Sequence, residues 1–282
     1  MISAIQPIVS HIVDPCNLRI VVSKLHLDIH LECFLGSEPV EKEDEYILVL
    51  GKSTIRLYDQ NFTAMSLPNI PSWPDHLERD GIGGTVGGKI VACTRFKCYS
   101  WSKDQPSSWT FEFNTEGKFV NHRGSSVTTK NGIWVAGGHN SNDAYLITFS
   151  SKLKNQKANL HLEQDRSSQC IIENGNTPIV TGGYRPRIKY LSSVDMYNLS
   201  DGTVTKLPNL NQGRSSHGCA KFKQHPSDVE WSYIVAGGYS GSYLSSIEIL
   251  YKGAKKWIKV NKLPARRSSL SMATINHKVE HE

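Results

Sequence analysis

The sequence predicts an all-β fold assembled from one repeated four-stranded unit. Three observations lead there. Apolar runs end in paired glycines at Ile133-Trp134-Val135-Ala136-Gly137-Gly138, Ile179-Val180-Thr181-Gly182-Gly183 and Tyr233-Ile234-Val235-Ala236-Gly237-Gly238. The same signals then follow in the same order, and self-similarity at a spacing of roughly 40–55 residues marks an array of supersecondary units. Each run is also short and rich in Val, Ile, Tyr and Trp, as strands are and long helices are not.

The later units are the clearest. After Gly182-Gly183 come Ser192-Ser193-Val194-Asp195-Met196-Tyr197, then Val204-Thr205-Lys206-Leu207-Pro208, then Arg214-Ser215-Ser216. After Gly237-Gly238 come Ser245-Ser246-Ile247-Glu248-Ile249-Leu250-Tyr251, then Lys256-Trp257-Ile258, Leu263-Pro264 and Arg267-Ser268-Ser269. Turn residues divide each unit into four β-prone runs. Degenerate copies precede them. Arg123 leads Gly137 by the interval that separates Arg79 from Cys93, so Gly88-Lys89-Ile90-Val91-Ala92-Cys93 is a copy without its glycine pair. Tyr46-Ile47-Leu48-Val49-Leu50-Gly51 is an earlier, half-preserved one. Units therefore start near residues 46, 90, 133, 178 and 233. The glycine-rich Gly81 to Gly88 stretch lacks the strand-then-helix context of a phosphate loop. It reads as a flexible variant of the last strand of the first unit.

Paired glycines followed by Tyr197 and Tyr251, by Trp257, by Leu207-Pro208 and Leu263-Pro264, and by Arg214-Ser215 and Arg267-Ser268 resemble the kelch repeat. The likeness covers roughly residues 46–275. It implies a β-propeller, with one four-stranded blade per repeat around a central channel. On this reading residues 46–282 are the propeller and residues 1–45 are an N-terminal extension. Glycine pairs suit the end of the innermost strand, where the channel is crowded and the backbone turns sharply. Many relatives close with six blades, against five repeats here. Either the ring is incomplete, or Leu18-Arg19-Ile20-Val21-Val22 and the alternation Leu25, Leu27, Ile29, Leu31 supply closing strands. Ser271 to Ile275 reads as the last strand of the fifth unit. No stretch before residue 46 fits the helical BTB and BACK domains that precede many kelch propellers, and Glu38 to Glu45 reads as a solvated acidic linker.

Composition narrows the function classes. Net charge is +6, scattered and without a basic run, which disfavours specific nucleic-acid binding and suits acidic partners. No apolar stretch is long enough for a transmembrane helix, and Met1 to Ser10 lacks the features of a secretory signal. Cys16, Cys33, Cys93, Cys98, Cys170 and Cys219 show no Cys-x-x-Cys spacing. Those in strand-like runs, Cys93, Cys170 and Cys219, read as buried free thiols in a cytoplasmic protein. Two sequons, Asn61-Phe62-Thr63 and Asn198-Leu199-Ser200, are about what chance supplies in an Asn- and Ser-rich chain and do not overturn that reading.

Signals for chemistry are sparse. His26, Asp28 and His30 share one face of a strand, as a metal trio or as the polar side of an edge. Ser102 to Trp109 is a loose copy of the sialidase Asp-box turn, with Pro106 in place of its glycine; Trp109 reads better as a strand tryptophan of its own unit. No Gly-x-Ser-x-Gly elbow is present, and no copper-oxidase metal residue maps onto a motif. The expectation is no catalysis and no cofactor.

The functional signal is the phased Arg-Ser. Arg123, Arg166 with Ser167, Arg214 with Ser215, and Arg267 with Ser268 recur at one point of successive repeats. Resemblance to kelch adaptors places such a ring at the channel mouth, where partner peptides bind. His139, Asn140, Tyr184, Arg185 and Tyr239, just after the glycine pairs, would face the same way. Arginine forks suit carboxylates, so the expected ligand is an acidic protein segment. The same arginines can instead bond neighbouring backbone and knit the blades, and the sequence leaves both readings open. The resemblance implies a non-catalytic interaction module, such as a substrate adaptor of a cullin-type ubiquitin ligase or an actin binder. The alternative is a propeller enzyme of sialidase-like or copper-oxidase-like type.

Overall fold

The computed structural model describes residues 82–272 apart from 95, 103, 104, 106, 116–122, 150, 151, 159, 224–227 and 271, and the strand backbone at 18–21, 47–51, 55–58 and 64–65. These residues contain no helix and form successive antiparallel four-stranded sheets. Sheet one is β1 (Leu18–Val21), β2 (Ile47–Gly51), β3 (Ile55–Tyr58) and β4 (Ala64–Met65). Sheet two is β5 (Ile82–Val86), β6 (Lys89–Cys93), β7 (Lys97–Trp101) and β8 (Thr110–Asn114). Sheet three is β9 (Ser125–Thr129), β10 (Gly132–Ala136), β11 (Ala144–Phe149) and β12 (Leu153–Lys157). Sheet four begins with β13 (Cys170–Ile172) and β14 (Ile179–Thr181), pauses for a ribbon of β15 (Tyr184–Arg185) and β16 (Lys189–Tyr190), and resumes with β17 (Val194–Tyr197) and β18 (Val204–Leu207). Sheet five is β19 (Gly218–Phe222), β20 (Ser232–Ala236), β21 (Ser246–Leu250) and β22 (Ile258–Lys262).

Strands are numbered in the order they pair, so every sheet is a meander closed by local turns. First strands adjoin across sheets: β5 lies beside β9, β9 beside β13, and β13 beside β19. This arrangement is consistent with a propeller-like fold.

Period-two alternation explains the stacking. In β10, Ile133 and Val135 pack on Val91, Cys93 and Cys98 of sheet two. Trp134 and Ala136, on the other face, pack with Val180 and Tyr197 of sheet four. A second strand buried on both faces must be continuously apolar, which is why these cassettes stand out in the sequence. Between sheets four and five, Ile172, Ile179 and Val194 meet Cys219, Val235, Leu250 and Trp257.

Several expectations are revised. The sequence units and the sheets are offset by one strand: the run after each Arg-Ser pairs with the next glycine-pair strand, as Gly218 does with Ala236. The Gly81–Gly88 stretch accordingly supplies β5, the first strand of sheet two, and not the last strand of the unit before it. Gly83 and Gly84 are buried, and a Cβ on Gly84 would lie 2.8 Å from Thr128 Oγ1 and 2.9 Å from Ile133 Cγ1 of sheet three. The glycine pairs end second strands, one step out from the adjoining first strands. Leu18–Val21 pairs with β2 as the first strand of sheet one. Trp109 sits one residue before β8, as Trp257 does before β22. The 25–31 alternation, including His26, Asp28 and His30, lies outside the described residues, as does most of Ser271 to Ile275.

The glycine pairs separate two costs. Gly182 has φ +56°, and an added Cβ would meet Arg214 O at 2.5 Å, whereas Gly175 has φ +61° with open space around it. Gly175→Ala is expected to lose about 1 kcal/mol from backbone conformation alone. Gly182→Ala should lose roughly 3 kcal/mol or more, because the neighbouring sheet must also move. Urea unfolding midpoints of the two variants check this.

Candidate functional site

The face that follows the glycine pairs rests on one repeated hydrogen-bond frame. The second glycine of each pair donates its N–H to the carbonyl of the arginine leading into the next sheet: Gly138 to Arg166 at 2.8 Å, Gly183 to Arg214 at 2.9 Å and Gly238 to Arg267 at 2.9 Å. Each arginine N–H in turn donates back, Arg166 to Ser141, Arg214 to Leu191 and Arg267 to Leu244. One step further, Ser168 N–H donates to Arg123 O, Ser216 to Ser168 O and Ser269 to Ser216 O, each at 2.7 Å. The four residues of this relay have φ of 65°, 52°, 52° and 58° in chain order. Left-handed serine and arginine are costly, and a relay bond at each supports that conformation.

This frame corrects the phase of Arg123. Strand register sets Ser125, Cys170 and Gly218 opposite Ala136, Thr181 and Ala236. Arg123 therefore corresponds to Ser168 and Ser216, two residues after the position of Arg166 and Arg214. It is exposed and belongs to the relay, not to the arginine series.

Arg166 and Arg214 do not reach solvent, so they are corrected as ligand-facing groups. Their side chains are 0 % exposed. Arg166 donates to Asp195 Oδ2 at 2.6 Å and to Gly182 O at 3.2 Å. Arg214 pairs with Glu248 and donates to Gly237 O at 2.9 Å and to Ser246 O at 3.2 Å. Each arginine thus holds one sheet by its backbone and the next by its guanidinium. The carboxylates occupy equivalent places, opposite Val180 and Val235. In sheet three Tyr145 stands there, opposite Val135. Counting back from Ser125, the arginine place in that unit is Asn121, so the sequence drops both partners together. Arg267 is half-buried and continues the arginine series. Ser167 and Ser215 are buried, and each exchanges two backbone hydrogen bonds with the residue after a glycine pair, Tyr184 and Tyr239 respectively. Ser268 is half-buried at the corresponding point.

The residues before β13 and β19 reach back across the sheet boundary. Gln169 donates to Ala136 O at 2.7 Å, and His217 Nε2 lies 2.8 Å from Thr181 Oγ1. Burial, reinforced by the Arg214 charge, pushes His217 down to about 3, so the imidazole is neutral.

What the face exposes is aromatic. The ribbon pairs Tyr184 with Tyr190, and a bridge joins Tyr239 to Tyr243. The four rings form one string of centroids, Tyr184 to Tyr190 at 5.7 Å, Tyr190 to Tyr239 at 5.6 Å and Tyr239 to Tyr243 at 5.5 Å. It crosses from sheet four to sheet five. Tyr243 is 58 % exposed and Ile188, at the ribbon tip, is 56 % exposed. Arg185 is tied to Asp165 at 2.7 Å. Arg187 and Lys189 are exposed and have no carboxylate partner among the described residues. His139 and Asn140 are exposed at the corresponding turn of sheet three, where Asn140 has φ 54°. Of the expected site residues, then, Tyr184, Arg185 and Tyr239 come together, and Tyr190, Tyr243, Arg187 and Lys189 join them. Tyrosines at both ends of a polar turn, Tyr184…Tyr190 and Tyr239…Tyr243, were the available signal.

The cysteines overturn the free-thiol expectation. Cys93 and Cys98, register partners in β6 and β7, are disulfide-bonded. So are Cys170 and Cys219, with Cα atoms 6.0 Å apart, which staples β13 to β19 beneath the tyrosine string. The cytoplasmic reading rested partly on reduced thiols at these positions. No helix among the described residues is long and apolar enough to cross a membrane. Among the same residues no group of His, Cys, Asp and Glu is placed to hold a metal ion.

No family model matches the chain, and no curated protein matches it. A solved structure titled "Structure of YjhT" is similar over 77 % of this chain and 77 % of its own, with a TM-score of 0.54 and 11 % identity. At that identity the likeness concerns the fold alone.

Two outcomes follow from the buried groups. Glu248→Ala leaves Arg214 charged and unpaired in the interior, and should cost about 3–5 kcal/mol in denaturant unfolding. For His217, the unfolded chain takes up a proton near pH 6.5 that the folded chain refuses until about pH 3. Stability should therefore fall with decreasing pH across that window, by up to roughly 1.4 kcal/mol per unit from this residue. His217→Gln, which installs the residue found at position 169, should flatten the profile between pH 4 and 6.5 relative to the parent chain.

Proposed function

We propose that the chain is a kelch-type β-propeller module that binds an acidic segment of a partner protein and carries out no catalysis. The observation that carries this reading is the four-tyrosine string with Arg187 and Lys189 at its edge. Tyrosines offer large contact area at low entropic cost, together with a polar tip. These exposed cations, without a carboxylate partner among the described residues, favour carboxylates and speed encounter with an acidic partner. Arg166 and Arg214 position this surface from below and do not touch the ligand. Repeat phase and the likeness of fold support the propeller; the Arg-Ser, Leu-Pro and paired-glycine signals support the kelch type. Ligase-adaptor and actin-binding roles are cytosolic, and two disulfides weigh against them. A partner met in an oxidising setting fits the molecule better.

Selection of a random displayed-peptide library on the intact chain tests the reading. Enriched peptides should carry Asp or Glu near an apolar or aromatic residue. Their affinity should drop roughly tenfold or more in Tyr190→Ala/Tyr239→Ala, and should weaken as salt is raised. Enrichment without acidic bias, or affinity unchanged in the double variant with its fold intact, would remove the proposal.

A further inference from the structure

We infer that Asn198 is an acceptor for an N-linked glycan, carried at the end of sheet four opposite the tyrosine string. The sequon Asn198-Leu199-Ser200 meets the acceptor rule, with leucine and not proline between the two functional residues. Two observations independent of the motif give it weight. First, Cys93–Cys98 and Cys170–Cys219 are both disulfides. Structural disulfides belong to compartments where thiols are oxidised, and in cells with a secretory route glycan transfer to asparagine occurs on the way to them. Second, the fold places the site at the surface, with Asn198 half-buried and Ser200 exposed. Asn198 opens the turn between β17 and β18, and both of its side-chain hydrogen bonds are exposed. Its Oδ1 accepts from Ser200 N–H at 3.0 Å, and its Nδ2 donates to Asp201 Oδ2 at 2.8 Å.

The chemistry fits the group as it stands. Nδ2 attacks the anomeric carbon of a polyprenyl-diphosphate-linked oligosaccharide, forming a C–N bond as the anomeric C–O bond breaks. The polyprenyl diphosphate leaves with the bonding electron pair, and one Nδ2 proton passes to the transferase. The second Nδ2 hydrogen remains on the amide as a donor. Topology keeps the glycan clear of the proposed binding face. β17 starts beside the glycine pair, where Gly182 N–H donates to Ser193 O, and ends at Tyr197, so its two ends face opposite sides of the sheet. The ribbon lies at the first end and Asn198 follows the second.

The test is the full chain secreted from cultured animal cells behind an added leader, with intact mass and peptide mapping before and after peptide-N-glycosidase. The expected result is a glycan-sized mass increment on the 198 peptide that enzyme treatment converts to aspartate. It should be absent in Asn198→Gln and in Ser200→Ala and kept in Asn61→Gln, which separates the two sequons. Both disulfides should appear in non-reducing maps of the same sample. An unmodified Asn198 in secreted, disulfide-bonded protein would overturn the inference, as would recovery of the secreted chain with all four of these cysteines reduced. Neither result bears on peptide binding at the tyrosine face.

Discussion

The fold depends on backbone hydrogen bonds that cross from one sheet to the next at fixed points of the repeat. Apolar burial glues neighbouring sheets but has no direction, and alone it would tolerate sliding. The glycine-to-arginine bonds remove that freedom. Gly138, Gly183 and Gly238 present their N–H groups to Arg166, Arg214 and Arg267 because both residues of each pair adopt positive φ, 74° and 133° at Gly137-Gly138 for instance. The relay through Ser168, Ser216 and Ser269 adds a second crossing in the opposite direction, with each later serine donating back to the unit before it. Two buried ion pairs then anchor the turns from within. Buried pairs contribute little net stability against an apolar alternative, but they penalise any register that separates the partners.

The tyrosine string follows from this frame. Tyr184 and Tyr239 are fixed because each exchanges two hydrogen bonds with a serine that the arginines and the relay already hold. Tyr190 spans the gap between sheets, and the Cys170–Cys219 disulfide holds that gap closed. The proposed recognition surface is thus built on elements locked from three directions, which would reduce the ordering cost of binding. Arg187 and Lys189 stand exposed on the ribbon, free of the desolvation that binds Arg166 and Arg214 to structural work.

Much of the fold was legible because its constraints are steric. A turn with two positive-φ residues demands glycine, and a strand buried on both faces demands unbroken apolar runs, so both leave marks in sequence. Phase was harder. Arg123-Gly124-Ser125-Ser126 mimics Arg-Ser-Ser closely enough to hide a two-residue shift that only strand register exposes. Whether an arginine faces solvent or a buried carboxylate is not written at its own position. The matching acids, Asp195 and Glu248, carried that information at equivalent places in the third strands. Tyr190 and Tyr243 escaped because the turns that bring them back differ in length. The disulfides escaped because Cys93 and Cys98 become opposite only once the hairpin is in register, and Cys170 and Cys219 meet only once first strands adjoin.

The central claim is that crossing hydrogen bonds, not loop packing, set the geometry of this face. Native-state amide hydrogen exchange measures it directly. The N–H groups of Gly183, Gly238, Ser168 and Ser216 should exchange only through global unfolding, as slowly as Val180 and Val235 in the strands beside them. Exchange of those four amides at the rate of the exposed turn residue Gly241, with the strand amides still protected, would contradict the account.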